Sequence, residues 1–155
     1  MNITRLTNNP EHVSEIASWY IDEWGTLLSK VTVESLSQKI QGKLEEITDI
    51  PVYFTALERN ELVGVVEFKF RENAEYQEYE HWLGGLYVKP THRGSGVSSA
   101  LISEVKMHAR KLGVDKVYLQ CESQLVTMYK YFEFQELHAA MHREIPVVIM
   151  VWSSM

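Results

Sequence analysis

An arginine and two glycines stand between an apolar run and a helical pattern near the middle of the chain. The run Trp82–Val88 stops before Pro90, and the loop Thr91–Gly96 leads into apolar residues spaced by three and four from Val97 to Leu112. A strand that turns through such a loop into a helix N-terminus can hold phosphate, because free backbone N–H groups and the positive end of the helix dipole converge there. This stretch therefore predicts a binding site for a phosphate-bearing ligand.

Two other kinds of phosphate loop fit the stretch less well. A P-loop ends in Gly-Lys-Ser/Thr, and that tripeptide does not occur in the chain. A dinucleotide-binding fingerprint would run Gly94-x-Gly96-x-x-Ser99 with Asp115 as its acid, but Asp115 precedes the next strand instead of ending it. A glycine-rich loop without any ligand is the third alternative, and Arg93 in this strand–loop–helix context argues against it.

The amino-acid sequence of the loop is similar to that of a known protein family. Arg93 to Ser98 resembles the Arg/Gln-x-x-Gly-x-Gly/Ala pyrophosphate loop of the GNAT family of N-acetyltransferases, with Ser98 in place of the last glycine or alanine. Leu86, Val88 and Pro90 resemble the Leu-x-Val-x-Pro strand end that precedes this loop in the family. Tyr129–Phe134 resembles the family's Tyr-x-x-x-Gly-Phe segment, with Glu133 replacing the glycine. The resemblance is specific from Trp82 to Phe134 and general elsewhere. Within the family, the chain resembles a bacterial group.

The resemblance implies a single α/β acetyltransferase domain over residues 1–155, with a splayed mixed sheet flanked by helices and a cofactor-binding core at about 82–134. It also implies acetyl-CoA as the cosubstrate and direct acetyl transfer to an amine in a ternary complex. The loop would bind the pyrophosphate, and the strand before it would present backbone groups to the pantetheine arm and the thioester. The residues that it assigns to coenzyme A are Leu86, Tyr87, Val88, Arg93, Gly94, Ser95, Gly96, Val97, Ser98, Ser99, Gln120 and Tyr129.

Proton transfer requires an acid toward the leaving thiolate and a base toward the amine. By its match to the family motif, Tyr129 is the acid, although it could also be a core tyrosine on a short amphipathic helix. Three residues are candidates for the base: Glu67 inside an apolar strand, and Glu80 and His81 at the mouth of the motif strand. Each has a purely structural alternative, and water relayed to solvent is a further candidate. The base therefore stays open at this level.

The remaining helices and strands are predicted from the spacing of apolar residues and from the residues that begin or end such elements. Asn9-Pro10-Glu11 marks a helix start, a second helix begins near Thr32, and Gly84-Gly85 marks a bulge in the motif strand. The second helix carries an apolar stripe of Leu36, Ile40, Leu44 and Ile47. The predicted strands are residues 1–8, Val52–Leu57, Leu62–Phe70, Trp82–Val88, Lys116–Cys121, about Gln135–Ala139 and Pro146–Trp152, and a short helix covers Leu125–Phe132. The strand at Lys116 follows a helix, which predicts that it lies parallel to the motif strand.

Composition narrows the function classes. The formal net charge of −6 argues against binding to nucleic acid or to an anionic membrane surface, and no apolar run is long enough to span a bilayer. The single cysteine, Cys121, excludes an intramolecular disulfide and favours a cytoplasmic setting. The six histidines show no metal-ligand spacing, so no metal is predicted. The oligomeric state stays open, with a homodimer as one alternative.

The acceptor is predicted from charge. In the family the acceptor enters past the first helices and the loop before the motif strand, and here those segments carry many carboxylates. The residues are Asp22, Glu23, Glu72, Glu75, Glu78 and Glu80, with Arg71 as the main exception. They favour a cationic amine of a small molecule or peptide, although a solvated acidic face is the alternative. Two other functions are carried forward: a coenzyme A-binding or sensing domain without turnover, and a nucleotide-binding module.

Overall fold

The computed structural model describes residues 1–25, 30–46 and 48–154. Its helices are α1 Val13–Trp24, α2 Val33–Glu45, α3 Val97–Lys111 and α4 Val126–Tyr131. Its strands are β1 Asn2–Arg5, β2 Val52–Glu58, β3 Glu61–Phe70, β4 His81–Val88, β5 Lys116–Cys121, β6 Gln135–His142 and β7 Ile145–Ser153. Among the described residues no helix is both long and apolar enough to cross a membrane.

The strands form one mixed sheet in the order β1-β2-β3-β4-β5-β7-β6. The predicted parallel pairing of β4 with β5 is confirmed, with Trp82 opposite Tyr118. β7 is antiparallel to both β5 and β6, and β1 is antiparallel to β2. Because α3 joins β4 to β5, the chain has the crossover connection that parallel neighbours require.

The chain forms two compact units, and β3 and β4 each contribute to both. The first unit consists of Met1–Glu67 and Gly85–Leu101, and the second of Phe68–Gly84 and Ile102–Met155. In the first unit, the apolar stripe of α1 and Ile40 of α2 pack into a core with Leu62 and Val65 of β3. In the second, Phe68, Trp82, Leu119 and Ile149 are fully buried. Each unit therefore has an apolar core that can hold its own part of the sheet rigid.

Helix starts differ in part from the sequence expectation. Asn9 makes no side-chain cap, and Pro10–His12 form a 3-10 turn before α1, closed by the His12 amide on the Asn9 carbonyl at 3.1 Å. At α2 the expectation is confirmed, because Thr32 and Ser35 form a reciprocal capping box. The predicted contribution of Ile47 to the stripe of α2 lies outside the described residues.

Candidate active site

The glycine-rich loop begins α3 and belongs to the first unit. Gly94 and Gly96 have φ of 76° and 88°, in the left-handed region that glycine adopts without strain. The Ala100 amide donates to the Gly96 carbonyl at 3.1 Å, which closes the first turn of the helix. A Cβ placed on either glycine meets no described protein atom within 4 Å. The backbone of the loop is therefore accessible to a ligand at the N-terminal end of a 15-residue helix.

Arg93 is fixed against the end of β4. Its Nε donates to the Val88 carbonyl at 2.9 Å, and its guanidinium lies over the Tyr87 ring at 5.4 Å. Tyr87 in turn packs on Trp19 of α1, with ring centroids 4.9 Å apart. Since arginine has five N–H donors, this arrangement orients the guanidinium while its terminal nitrogens can contact phosphate.

Close packing holds the start of α3 on the sheet. A Cβ on Gly64 of β3 would lie 2.7 Å from the side chain of Val97 and 3.0 Å from that of Leu101. Both side chains are buried, whereas Ser98 is half-buried and Ser99 is exposed. The absence of a side chain at Gly64 thus lets the helix carrying the loop approach β3 closely.

β4 departs from extended geometry immediately before the residues predicted to contact the pantetheine arm. Gly85 has a φ of 56°, and its carbonyl accepts a hydrogen bond from Tyr20 Oη at 2.8 Å. A Cβ at Gly85 would lie 2.5 Å from Tyr20 Oη. The left-handed backbone at Gly85 lies where a bulge is predicted, and the next residues, Leu86 and Tyr87, are half-buried.

Glu67 lies in a polar cluster of the first unit. Its side chain is 4% exposed, and Lys43 Nζ of α2 donates to Oε2 at 3.0 Å. The same ammonium lies 3.4 Å from Tyr53 Oη. Burial first, and the charge of Glu67 second, raise the pKa of both Tyr20 and Tyr53, so both phenols stay protonated around this carboxylate. We define the four residues Glu67, Lys43, Tyr20 and Tyr53 as the carboxylate cluster.

The other two candidate bases belong to the second unit and have different surroundings. Glu80 is exposed, and its Oε2 lies 3.9 Å from Arg71 Nη2. His81 is half-buried between two phenylalanines, with its ring centroid 6.2 Å from Phe68 and 5.4 Å from Phe70. Glu80 therefore lies in solvent beside an arginine and outside the buried carboxylate cluster. The aromatic packing of His81 suits a structural role.

Tyr129 is buried in the second unit and packs edge-on against Phe134, with ring centroids 6.1 Å apart. Burial first, then the charge of Cys121, raises the pKa of its phenol. Cys121 is itself buried, and desolvation raises its pKa to about 11, so the thiol stays protonated and is not a nucleophile. The phenol of Tyr129 therefore stays protonated and has a proton to donate to a developing thiolate.

Gln120 carries an unsatisfied donor. Its Oε1 accepts from Asn73 Nδ2 at 3.0 Å, whereas its buried Nε2 finds no hydrogen-bond partner among the described residues. A buried N–H without a partner costs about 1–3 kcal/mol, so a ligand acceptor at this position would be favoured. The described part of the chain holds no group of three metal-ligating side chains.

Residues 13–134 match the family model described as Acetyltransferase (GNAT) family, which covers most of the chain and both the loop and Tyr129. The chain belongs to this family. As a GNAT acetyltransferase, it transfers an acetyl group, and the donor in the family is acetyl-CoA. The nucleotide-binding alternative is thereby set aside.

Solved structures share the fold of this acetyltransferase over its whole length. A ribosomal-protein-alanine N-acetyltransferase from Brucella melitensis is 16% identical, with a TM-score of 0.76 over 99% of both chains. An N-acetyltransferase from Staphylococcus aureus Mu50 is 13% identical, with a TM-score of 0.76 over 100% of both chains. An aminoglycoside 6'-N-acetyltransferase complexed with coenzyme A is 13% identical, with a TM-score of 0.77 over 100% of this chain and 98% of that one. No curated protein matches the sequence.

Three members of the carboxylate cluster are not predicted from the sequence. From the sequence, Tyr20 belongs to a predicted helix and Tyr53 to a predicted strand, and no role is predicted for Lys43. One signal was available for Lys43, since it lies three residues after the buried Ile40 and next to Leu44 on the apolar side of the helix. A lysine on a buried face needs a charged or polar partner.

Replacing Tyr129 with phenylalanine tests the predicted acid. The Tyr129→Phe variant removes one oxygen from a buried ring, so we expect the fold and the affinity for acetyl-CoA to persist. Turnover should fall by about 10²-fold because the thiolate loses its donor. Single-turnover kinetics isolate the chemical step, and Tyr131→Phe, at a tyrosine 83% exposed on the same helix, serves as the control. Unchanged single-turnover rates in Tyr129→Phe would assign Tyr129 to the core alone.

Proposed function

We propose that this chain acetylates a primary amine of a cationic small molecule or peptide, by direct transfer from acetyl-CoA in a ternary complex. The observation that carries the proposal is the buried carboxylate of Glu67 in the same cluster as Tyr20, whose hydroxyl contacts β4 at Gly85. A base buried beside the strand expected to hold the thioester is positioned to remove a proton from an attacking amine. Residues 1–155 act as one acetyltransferase domain in this proposal, at a cytoplasmic location.

Donor binding is assigned to the loop and the strand before it. The amides of Gly94 to Ser98, together with Ser99, contact the pyrophosphate, and Arg93 adds charge-assisted hydrogen bonds. The backbone of Leu86–Val88 contacts the pantetheine arm and directs an N–H toward the thioester oxygen. The support for this assignment is the accessible left-handed backbone at Gly94 and Gly96. Gln120 adds a donor to the arm, supported by its unsatisfied Nε2.

The reaction then needs proton removal at nitrogen and proton donation at sulfur. Glu67 takes a proton from the bound ammonium, and the neutral nitrogen attacks the thioester carbonyl. The nitrogen of the tetrahedral intermediate releases its second proton to water, the carbon–sulfur bond breaks as the intermediate collapses, and the electron pair leaves with sulfur. Tyr129 donates its proton to that thiolate and regains one from solvent. We rank Glu67 above Glu80 and His81 because it is buried in a polar cluster, whereas Glu80 is exposed and His81 packs between aromatic rings.

Fewer carboxylates support a cationic acceptor than the sequence indicated. Glu72 forms an ion pair with Lys69, and Glu80 lies beside Arg71, so these two carboxylates are largely compensated. The support that remains is the exposed carboxylates Asp22, Glu23, Glu75 and Glu78. Carboxylates near an entrance raise the local concentration of cations and speed their association.

A series of matched acceptors tests the preference for positive charge. The compounds 1,4-diaminobutane, 1-aminobutane and 4-aminobutanoate share one chain length and differ in the charge at the end remote from the reacting amine. We expect kcat/KM to fall in that order, with the diamine about tenfold above the amino acid. Raising ionic strength well above the physiological value should shrink the difference, because screening weakens steering. Equal kcat/KM for all three, or preference for 4-aminobutanoate, would contradict a cationic acceptor.

A further inference from the structure

Lys43 gives the buried Glu67 a cationic partner from within the chain. Its Nζ lies 3.0 Å from Glu67 Oε2, which is the contact that an acceptor ammonium would make in order to transfer its proton. One carboxylate oxygen close to two ammonium groups would bring like charges together, which is unfavourable in a partly buried site. Lys43 and a cationic acceptor therefore compete for the same position.

The two partners of this ion pair are held very differently. Glu67 is 4% exposed on the central part of β3, whereas the Lys43 side chain is 31% exposed on α2. A lysine has a flexible four-carbon stem and a compact ammonium that water solvates well. Lys43 can thus move into solvent when another ammonium takes over its contact with Glu67, while Glu67 stays in place. The ring of Tyr53, with its centroid 5.6 Å from Lys43 Nζ, offers the same cation-binding face to whichever ammonium is present.

We propose that Lys43 is a replaceable cation. Its ammonium pairs with the Glu67 carboxylate in the free enzyme, and the ammonium of the acceptor takes its place. This inference rests on the proposed function, since it concerns the same carboxylate and the same class of acceptor. Lys43 is a specificity-determining residue in this scheme, because an acceptor that offers a cation can replace its ammonium at Glu67. An uncharged ligand would leave the lysine where it is.

Removing Lys43 should improve acceptor binding while leaving the chemistry in place. In Lys43→Ala, the acceptor no longer competes with an internal ammonium, so we expect KM for 1,4-diaminobutane to fall about tenfold. The value of kcat should stay within about threefold, because the proposed base is retained. Lys43→Arg keeps a cation and should keep the high KM. Lys39→Ala, at an exposed lysine one turn earlier on α2, controls for the loss of a surface charge.

A second readout does not depend on acetyl transfer. Lys43→Ala removes the ammonium that lies 3.0 Å from Glu67 Oε2, and we expect the melting temperature to fall by about 4 °C. Added ethylammonium chloride should restore about half of that loss by entering the vacated position, whereas potassium chloride at equal ionic strength should not. Lys89→Ala removes a lysine of similar exposure from the more exposed Glu61, so ethylammonium should not stabilise that variant.

The two readouts separate the possible failures. If ethylammonium stabilises Lys43→Ala but no amine is acetylated faster, the cation site stands and the proposed acceptor class fails. An unchanged or higher KM, together with equal effects of ethylammonium and potassium, would overturn the replaceable cation and make Lys43 a structural ion-pair partner.

Discussion

Glu67→Gln should lower kcat/KM for a cationic amine by about 10³-fold, within the range that removal of a general base produces. The amide keeps the size of the side chain and an oxygen for Lys43 but cannot accept the ammonium proton. The fall should be measured at saturating acetyl-CoA, together with the affinity for coenzyme A, which we expect to be unchanged. Glu61→Gln, at an exposed glutamate on the same strand, is the matched control.

The pH dependence of the same variant distinguishes a lost base from a distorted site. Without Glu67, only the amine that is already deprotonated reacts, and a primary amine has a pKa of about 10. The rate of Glu67→Gln should therefore rise about tenfold per pH unit up to that pKa, approaching the wild-type rate at high pH. A rate that stays low at every pH would indicate structural damage, and an unchanged rate at neutral pH would assign the base to water or another residue.

Gly96→Val should raise the Kd for coenzyme A by at least about 100-fold, which corresponds to about 2.7 kcal/mol. The valine side chain would enter the space beside the loop amides, where a pyrophosphate has to approach the backbone. Titration calorimetry with coenzyme A measures this directly. Gly96→Ala should give a smaller loss, since it adds one methyl group.

Valine at a positive φ is strained wherever it is placed, so this variant needs a control with the same strain. Gly113→Val is suitable, because Gly113 follows the other end of α3, has a φ of 72° and likewise has open space beside it. We expect both variants to lose similar thermal stability, while Gly113→Val keeps the affinity for coenzyme A. Equal affinities in the two variants would remove the loop from the donor site.

Local sequence patterns predict most of the helices and strands of the fold. The helical spacing after Gly96, the alternation in β5 and the capping residue Thr32 all depend on neighbours within a few residues, and the structure has these elements where they are predicted. The same holds for the irregularity at Gly85, because two consecutive glycines in a strand are themselves the signal. These elements follow from backbone sterics and hydrophobic period, which a single sequence displays.

The carboxylate cluster could not be predicted in this way. Lys43 and Glu67 are 24 positions apart on a helix and a strand, and Tyr20 and Gly85 are 65 positions apart. Such pairs depend on how α1 and α2 pack against the sheet, which residue spacing along one element does not encode. The same limit applies to Arg93, whose type predicts phosphate binding but whose orientation by Val88 and Tyr87 depends on the end of β4.

Detection of the acetylated product by mass spectrometry, in parallel with free coenzyme A, tests acetyl transfer by this site most directly. Wild-type protein, Glu67→Gln and Gly96→Val would each be incubated with acetyl-CoA and 1,4-diaminobutane. We predict that wild type forms N-acetyl-1,4-diaminobutane and coenzyme A in equal amounts, that Glu67→Gln binds the donor but forms product about 10³-fold more slowly, and that Gly96→Val fails to bind the donor. Wild-type protein that binds acetyl-CoA yet acetylates none of a broad panel of amines would contradict the proposed reaction.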